Sequence, residues 1–219
     1  MTMLNFAIQA WQCWSSSASD HPDSSPIPAM LRRRLSPLGR AAFSVIDPLI
    51  NQHGAMPLVY VSRHGECSRT LGLLQDLANN ELMSPTAFGL SVHNATAGLY
   101  SIHRQLTTGI TALSGGSHML LAGLLEALGI VRQVKGNVLC VFCDEPLPVL
   151  YQAHVGQPTQ SFALALVLAP GTGWQLQPEM LTDAGATPVL SLVELMTLQQ
   201  QSLLIGSQGQ AWRLSRTRP

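Results

Sequence analysis

Two short runs constrain the architecture more than any other feature of the chain. Leu58–Val61 (LVYV) and the run VLCVFC, 138–143, are continuously apolar, with no polar residue on either alternating face. A strand patterned this way must be covered by protein on both sides. That is the environment of a strand inside a largely parallel sheet with helices above and below.

The surrounding sequence supplies those helices. Ser36 as N-cap, Pro37 at the first helical position and Gly54 at the end delimit a helix through LSPLGRAAFSVIDPLINQHG, which Pro48 is expected to kink or split. Ser68 is expected to cap SRTLGLLQDLANNE, with Leu71, Leu74 and Leu77 on one face. LNFAIQAW alternates as a first strand, and a polar loop, SSSASDHPDSSPIP, follows it. A third strand is expected in SPTAFGLSV, then a helix from about Ala95 to Leu106. GITALSGG is a strand or turn, SHMLLAGLLEALGIV a helix, and SFALALVLAP and GWQLQPEML two later strands. PVLSLVELMTLQQQ forms a late helix and AWRLSR a last strand. Strands alternating with helices predict an α/β layered sheet. No solenoid-period repeat or strong linker divides the chain, so residues 1–219 are read as a single domain.

Only 11% of the 219 residues are charged, and mean hydropathy is +0.20. The usual charged share is about 25%, so part of the surface is expected to be covered. No run of apolar residues is long enough to span a bilayer; the best candidate, Met119 to Val131, is interrupted by Gly123, Glu126 and Gly129. The first residues carry no basic region or signal-peptidase pattern. The expectation is a cytoplasmic chain with a protein partner. Zero net charge and dispersed basic residues argue against nucleic acid, apart from the run Arg32, Arg33, Arg34, which reads as a solvated helix face or a local anion contact. Cys13, Cys67, Cys140 and Cys143 read as reduced thiols.

Catalytic constellations are sparse. Cys140 and Cys143 lie three apart in a strand, on opposite faces, so they do not form a metal or redox pair. The glycines of SGGSHM and PGTGW match neither nucleotide-binding pattern. No metal or cofactor is expected. Ser91 precedes His93 by two residues without the flanking glycine of a nucleophile elbow, and HVGQPT, His154 to Thr159, is no stronger. The stretch SVHNATAG reads as a strand running into a helix: Asn94 is an N-cap candidate, and Ala95, Ala97 and Gly98 would allow close backbone approach. Free N–H groups at such a start can hold an oxyanion or lower a thiol pKa. Thr96, an alcohol with no identifiable base, is poorly suited to use them.

RHGECSRTLGLLQDLANNELMSPTAFGLSVHNATAGLYSI, with LRRRLSPLGRAAF upstream and VLCVFCDEPLP downstream, resembles the small β-ketoacyl-synthase-like proteins that accompany bacterial ketosynthases. The similarity is strongest over residues 30–150 and weaker over 155–219. It implies half of a thiolase-like fold: a five-stranded mixed sheet with helices on both faces. It places Thr96 where a ketosynthase carries its acyl-accepting cysteine. With the family's histidine pair also missing, it implies a chain that is not an enzyme by itself. By the same resemblance Asn94, Thr96, Gly98 and Tyr100 form the elbow and acyl tunnel. Phe88, Leu90 and Val92 would be an edge strand that pairs with a second subunit. The implied partner is a full-length ketosynthase, and indirectly its acyl carrier protein. The implied role is that of a chain length factor in polyketide or fatty-acid-type elongation, as in aryl polyene pigment formation. The enzymatic alternative is a small acyltransferase or hydrolase using Ser91 or Thr96 with His93; a purely structural scaffold subunit is the other.

Overall fold

The computed structural model describes residues 3–153, 160–179, 187–198, 200–207 and 210–217. Its strands are β1 (Leu4–Ser15), β2 (Leu58–Val61), β3 (Ile110–Leu113), β4 (Val138–Asp144), β5 (Phe162–Glu179), β6 (Ser202–Ser207) and β7 (Gln210–Arg216). Its helices are α1 (Ala29–Arg32), α2 (Pro37–His53), α3 (Cys67–Ala78), α4 (Pro85–Gly89), α5 (Ala95–Arg104), α6 (Met119–Val134), α7 (Val149–Gln152) and α8 (Leu190–Thr197).

The sheet runs β3-β2-β4-β5, with β1 on the far side of β5. β2 is parallel to both β3 and β4, whereas β5 is antiparallel to β4 and β1. These five strands form the expected mixed sheet, which two further strands extend to seven. The 18-residue β5 outruns β4, and its distal half pairs with β7, to which β6 is joined as a hairpin. The two strands expected from SFALALVLAP and GWQLQPEML are therefore one. The chain passes the intervening Gly171 and Gly173 at φ 153° and 106°, which only glycine adopts readily, without leaving the sheet.

Both faces of the central strands are buried, as their unbroken apolar pattern requires. Val59, Val61, Val138, Cys140, Phe142, Leu164 and Leu166 face one core with α6 and α8. Leu58, Tyr60, Leu139, Val141, Cys143, Ala163 and Ala165 face the other, with α2 and the inner side of α5. Cys140 and Cys143 thus belong to different cores. The α6 side is tightly packed at Gly123. A Cβ there would lie 2.4 Å from Phe142 Cε1 and 2.8 Å from Val61 Cγ2. Gly123→Ala is expected to cost about 1–3 kcal/mol through overpacking, measured as a lower urea midpoint.

Local signals place α2 well. Ser36 Oγ accepts from Gly39 N at 2.9 Å, Pro37 opens the helix, and Gly54 closes it at φ 80°. Pro48 does not split it: the helix continues to His53. Three expectations are corrected. Helix α3 starts at Cys67 after Glu66 rather than at a Ser68 cap. Its buried residue is Leu73, while Leu74 and Leu77 are 50% and 57% exposed. SPTAFGLSV is not a strand: Ser84 Oγ accepts from Ala87 N and Pro85 opens α4, so Phe88 is helical and Leu90 to Val92 lie in the turn that follows.

Candidate functional site

Nearest in the chain after SVHNATAG, the strand that runs into a long helix is β3. It enters Ser114–His118, a tight turn with one 3-10 step, and the chain then becomes α6. A Cβ on Gly115 would lie 2.4 Å from Met119 Cα, and Gly116 sits at φ 53°. Ser114 Oγ donates to Arg63 O at 3.0 Å, fastening the turn to the loop after β2. The glycines of SGGSHM therefore serve this elbow-like turn. The expected strand-to-helix junction at SVHNATAG is instead a passage from α4 through a turn into α5, because residues 90–94 have no strand to pair with.

The residues singled out in that stretch take structural positions. Asn94 holds the N-cap position of α5 without a side-chain capping bond. Thr96 is 2% exposed, and its hydroxyl donates to Glu66 Oε1 at 3.1 Å. Tyr100 is buried, donates to Asp47 Oδ1 at 3.0 Å and meets the Phe43 ring edge-on. Gly98 has open space where a Cβ would go, so close packing does not require glycine there. Phe88 and Val92 are 62% and 48% exposed and Leu90 is half-buried. Ser91 Oγ donates to its local Phe88 O, while His93 Nε2 pairs with Ser62 O at 2.9 Å. Ser91 and His93 are thus engaged with different main-chain carbonyls and do not form a nucleophile–base pair. The stretch His154 to Thr159 lies outside the described residues.

Sequence reasoning missed two carboxylates. Glu66, 5% exposed, accepts from Ser36 Oγ at 2.8 Å, from Thr96 and from Arg69 Nε at 3.2 Å. It ties the N-terminal turns of α2, α3 and α5 together. Asp144, 2% exposed at the end of β4, accepts from Ser62 Oγ at 2.9 Å and from the Arg63 and His64 amides. Burial pushes the Asp144 carboxyl above its ordinary value against these hydrogen bonds, and burial lowers His64 beside it. The available signal was a carboxylate ending a fully apolar strand, which must be satisfied when buried. Together, Ser62 to Gly65, Ser114 and Asp144 crown the carboxyl ends of the parallel strands, the side on which open α/β sheets place their sites.

No cysteine lies in either the β3–α6 turn or the start of α5. Burial raises the Cys13 thiol to about 11 and pushes Cys140 and Cys143 higher still. Among the described residues, no three His, Cys, Asp or Glu side chains are placed to hold a metal ion. None of the described helices is long and apolar enough to cross a membrane.

The sequence profile of the β-ketoacyl synthase N-terminal domain matches residues 9–213. The chain belongs to that family. No curated protein is significantly similar to it in sequence. Among solved structures, it matches a chain from the complex of the ketosynthase ApeO with its chain length factor ApeC, from Xenorhabdus doucetiae. The TM-score is 0.83 at 29% identity, over 97% of this chain and 100% of that one. The ishigamide ketosynthase/chain length factor matches with a TM-score of 0.63 and 12% identity, over 80% of this chain and 67% of that one. A β-ketoacyl synthase from Burkholderia phymatum STM815 matches at 0.55 and 12%, over 77% of this chain and 53% of that one. These last two likenesses are of fold. Within the β-ketoacyl synthase family, the thiolase-like half-fold expected from the sequence is the one observed.

Proposed function

We propose that this β-ketoacyl synthase-family chain is a non-catalytic subunit of the chain length factor type. It pairs with a full-length β-ketoacyl synthase in the cytoplasm and closes the far end of that partner's acyl tunnel during polyketide or aryl-polyene-type elongation. The observation that carries the reading is the likeness to a chain from a ketosynthase–chain length factor complex, at a TM-score of 0.83 and 29% identity. The absence of a thiol at both Ser114–Met119 and Asn94–Gly98 supports it, because an alcohol there needs a base to act as a nucleophile. The Claisen condensation between an acyl thioester and a carrier-bound malonyl unit then belongs to the partner's site.

In this reading the partner meets the open edge of β3 and the segment before α5. Leu74, Leu77, Leu82, Met83, Phe88 and Val92 are all exposed between residues 74 and 92, an unusual density of uncovered apolar side chains. Phe88, Leu90 and Val92 keep the interface role expected for them, on a helix and turn instead of a strand. Thr96 and Tyr100 instead fasten α5 to Glu66 and Asp47. Phe88 is the side chain we place at the end of the acyl chain, since Thr96 and Tyr100 are committed to Glu66 and Asp47.

Co-expression with a β-ketoacyl synthase from the same source should give a stable heterodimer by size exclusion. Phe88→Ala should lengthen the product and Phe88→Trp shorten it, by mass spectrometry, with the partner's cysteine still acylated. Unchanged product length in an intact heterodimer would leave the chain as a scaffold, and purification as a monomer without effect on the synthase would refute the pairing.

A further inference from the structure

Ser62, buried just past the end of β2, bonds to three distant segments. Its N–H donates to Leu113 O at 3.2 Å, at the end of β3. Its hydroxyl donates to Asp144 Oδ1 at 2.9 Å and accepts from Gly65 N at 2.8 Å. Its carbonyl accepts from His93 Nε2 at 2.9 Å. A carbonyl oxygen can only accept, so Nε2 is the nitrogen that carries the proton. One residue therefore ties the edge strand of the sheet to the turn before α5.

The seat of His93 is built on three sides. Gly65 lies at φ 56°, a value that favours glycine, and a Cβ there would lie 3.1 Å from His93 Cδ2. The buried Tyr60 ring meets the imidazole edge-on, with centroids 6.2 Å apart. Ser62 O supplies the acceptor. The other described hydrogen bonds of residues 85–94 are local. Phe88 N reaches Ser84 O, Leu90 N reaches Thr86 O, Ser91 N and Oγ reach Phe88 O, and Ala95 N reaches Val92 O. Among the described hydrogen bonds, that of His93 alone holds this turn to the sheet.

We propose that His93 is a positioning residue for chain-length selection, holding the Phe88–Val92 turn in a fixed place relative to the β3 edge through Ser62. This role rests on the function proposed above, in which Phe88 stands at the end of the acyl chain. Phe88 and Val92 are 62% and 48% exposed, so their place is set by the backbone that carries them rather than by packing within this chain. A drift of about 1 Å in a positioned group is enough to change what a site selects. Asp144 and Gly65 hold Ser62 itself still, so the two segments proposed to meet the synthase share one anchor.

Co-expression of His93→Ala with the β-ketoacyl synthase, followed by mass spectrometry of the released chains, tests this role. The heterodimer should still form. The ratio of longer to wild-type-length product should rise by about threefold or more, the size of effect that one lost hydrogen bond carries. His93→Gln, whose amide nitrogen can stand where Nε2 stands, should restore the wild-type ratio. Leu192→Ala, buried on α8 in the opposite core, should lower the urea midpoint and leave the ratio unchanged. An unchanged ratio for His93→Ala in an intact heterodimer would overturn the role. So would an equal rise with Leu192→Ala, which would mark general loosening. If the wild-type chain and the synthase fail to associate, the proposed function falls, and hydrogen–deuterium exchange of the chain alone decides the anchor. Amides of residues 88–92 should then exchange faster in His93→Ala than in wild type or His93→Gln, and equal rates in all three would overturn it.

Discussion

Ala112→Pro is expected to abolish association with a co-expressed β-ketoacyl synthase while leaving the isolated chain folded. Strand β3 is the end of the sheet and, among the described residues, pairs only with β2. Leu58 N donates to Gly109 O at 3.0 Å, and Ser62 N donates to Leu113 O at 3.2 Å. Along a strand these groups alternate in direction, so Gly109, Thr111 and Leu113 turn theirs toward β2. Ala112 turns its own to the open edge, and its side chain is exposed. Proline at 112 therefore removes no bond to β2, but it deletes an outward donor and places a ring against any strand that would add there. An open edge beside an apolar surface needs such a cover. The expected loss is at least about tenfold in co-purified synthase, with the far-ultraviolet circular dichroism of the chain unchanged. Thr111→Pro, which breaks the β2 ladder, should instead lower the stability of the chain itself. Retention of the synthase by Ala112→Pro would move the interface to another face.

Glu66→Ala should destabilise the chain by about 3 kcal/mol, read as a fall in the urea midpoint. The carboxylate satisfies Ser36 and Thr96 hydroxyls and the Arg69 guanidinium inside a nearly closed site. Alanine leaves both hydroxyls and Arg69 Nε without their acceptor, Arg69 keeping its Nη2 bond to Arg34 O, and leaves a void between α2, α3 and α5. Glu66→Gln keeps a carbonyl oxygen in place and should lose less. Thr96→Ala removes one donor of three and should cost about 1 kcal/mol. A Glu66→Ala loss under about 0.5 kcal/mol, the usual effect of a surface change, would contradict the linking role of this residue.

The order of these costs bears on how Thr96 should be understood. By resemblance it stood where a ketosynthase has its nucleophile. In the folded chain its hydroxyl points into a structural carboxylate, and the β3–α6 turn has the strand-to-helix form of an elbow. The structure departs from the sequence expectation at SPTAFGLSV. Its apolar residues fit a strand, but its opening Ser-Pro pair is the same capping signal as Ser36 and Pro37, and in the structure it starts α4. The exposed Leu74 and Leu77 show the same limit. Their spacing marks a helix, but spacing does not say whether the apolar face meets this chain's core or a partner.

Local chemistry in the sequence determined the α/β class, the doubly buried strands, the boundaries of α2 and the separation of Cys140 from Cys143. Each follows from periodicity, a cap or a run length within a few residues. The tertiary structure alone decided that β3 and not SPTAFGLSV takes the edge and that Glu66 joins three helices. Those outcomes depend on pairing between segments far apart in the chain. Strand edges and buried carboxylates are settled by which distant groups satisfy them, and no local pattern encodes that choice.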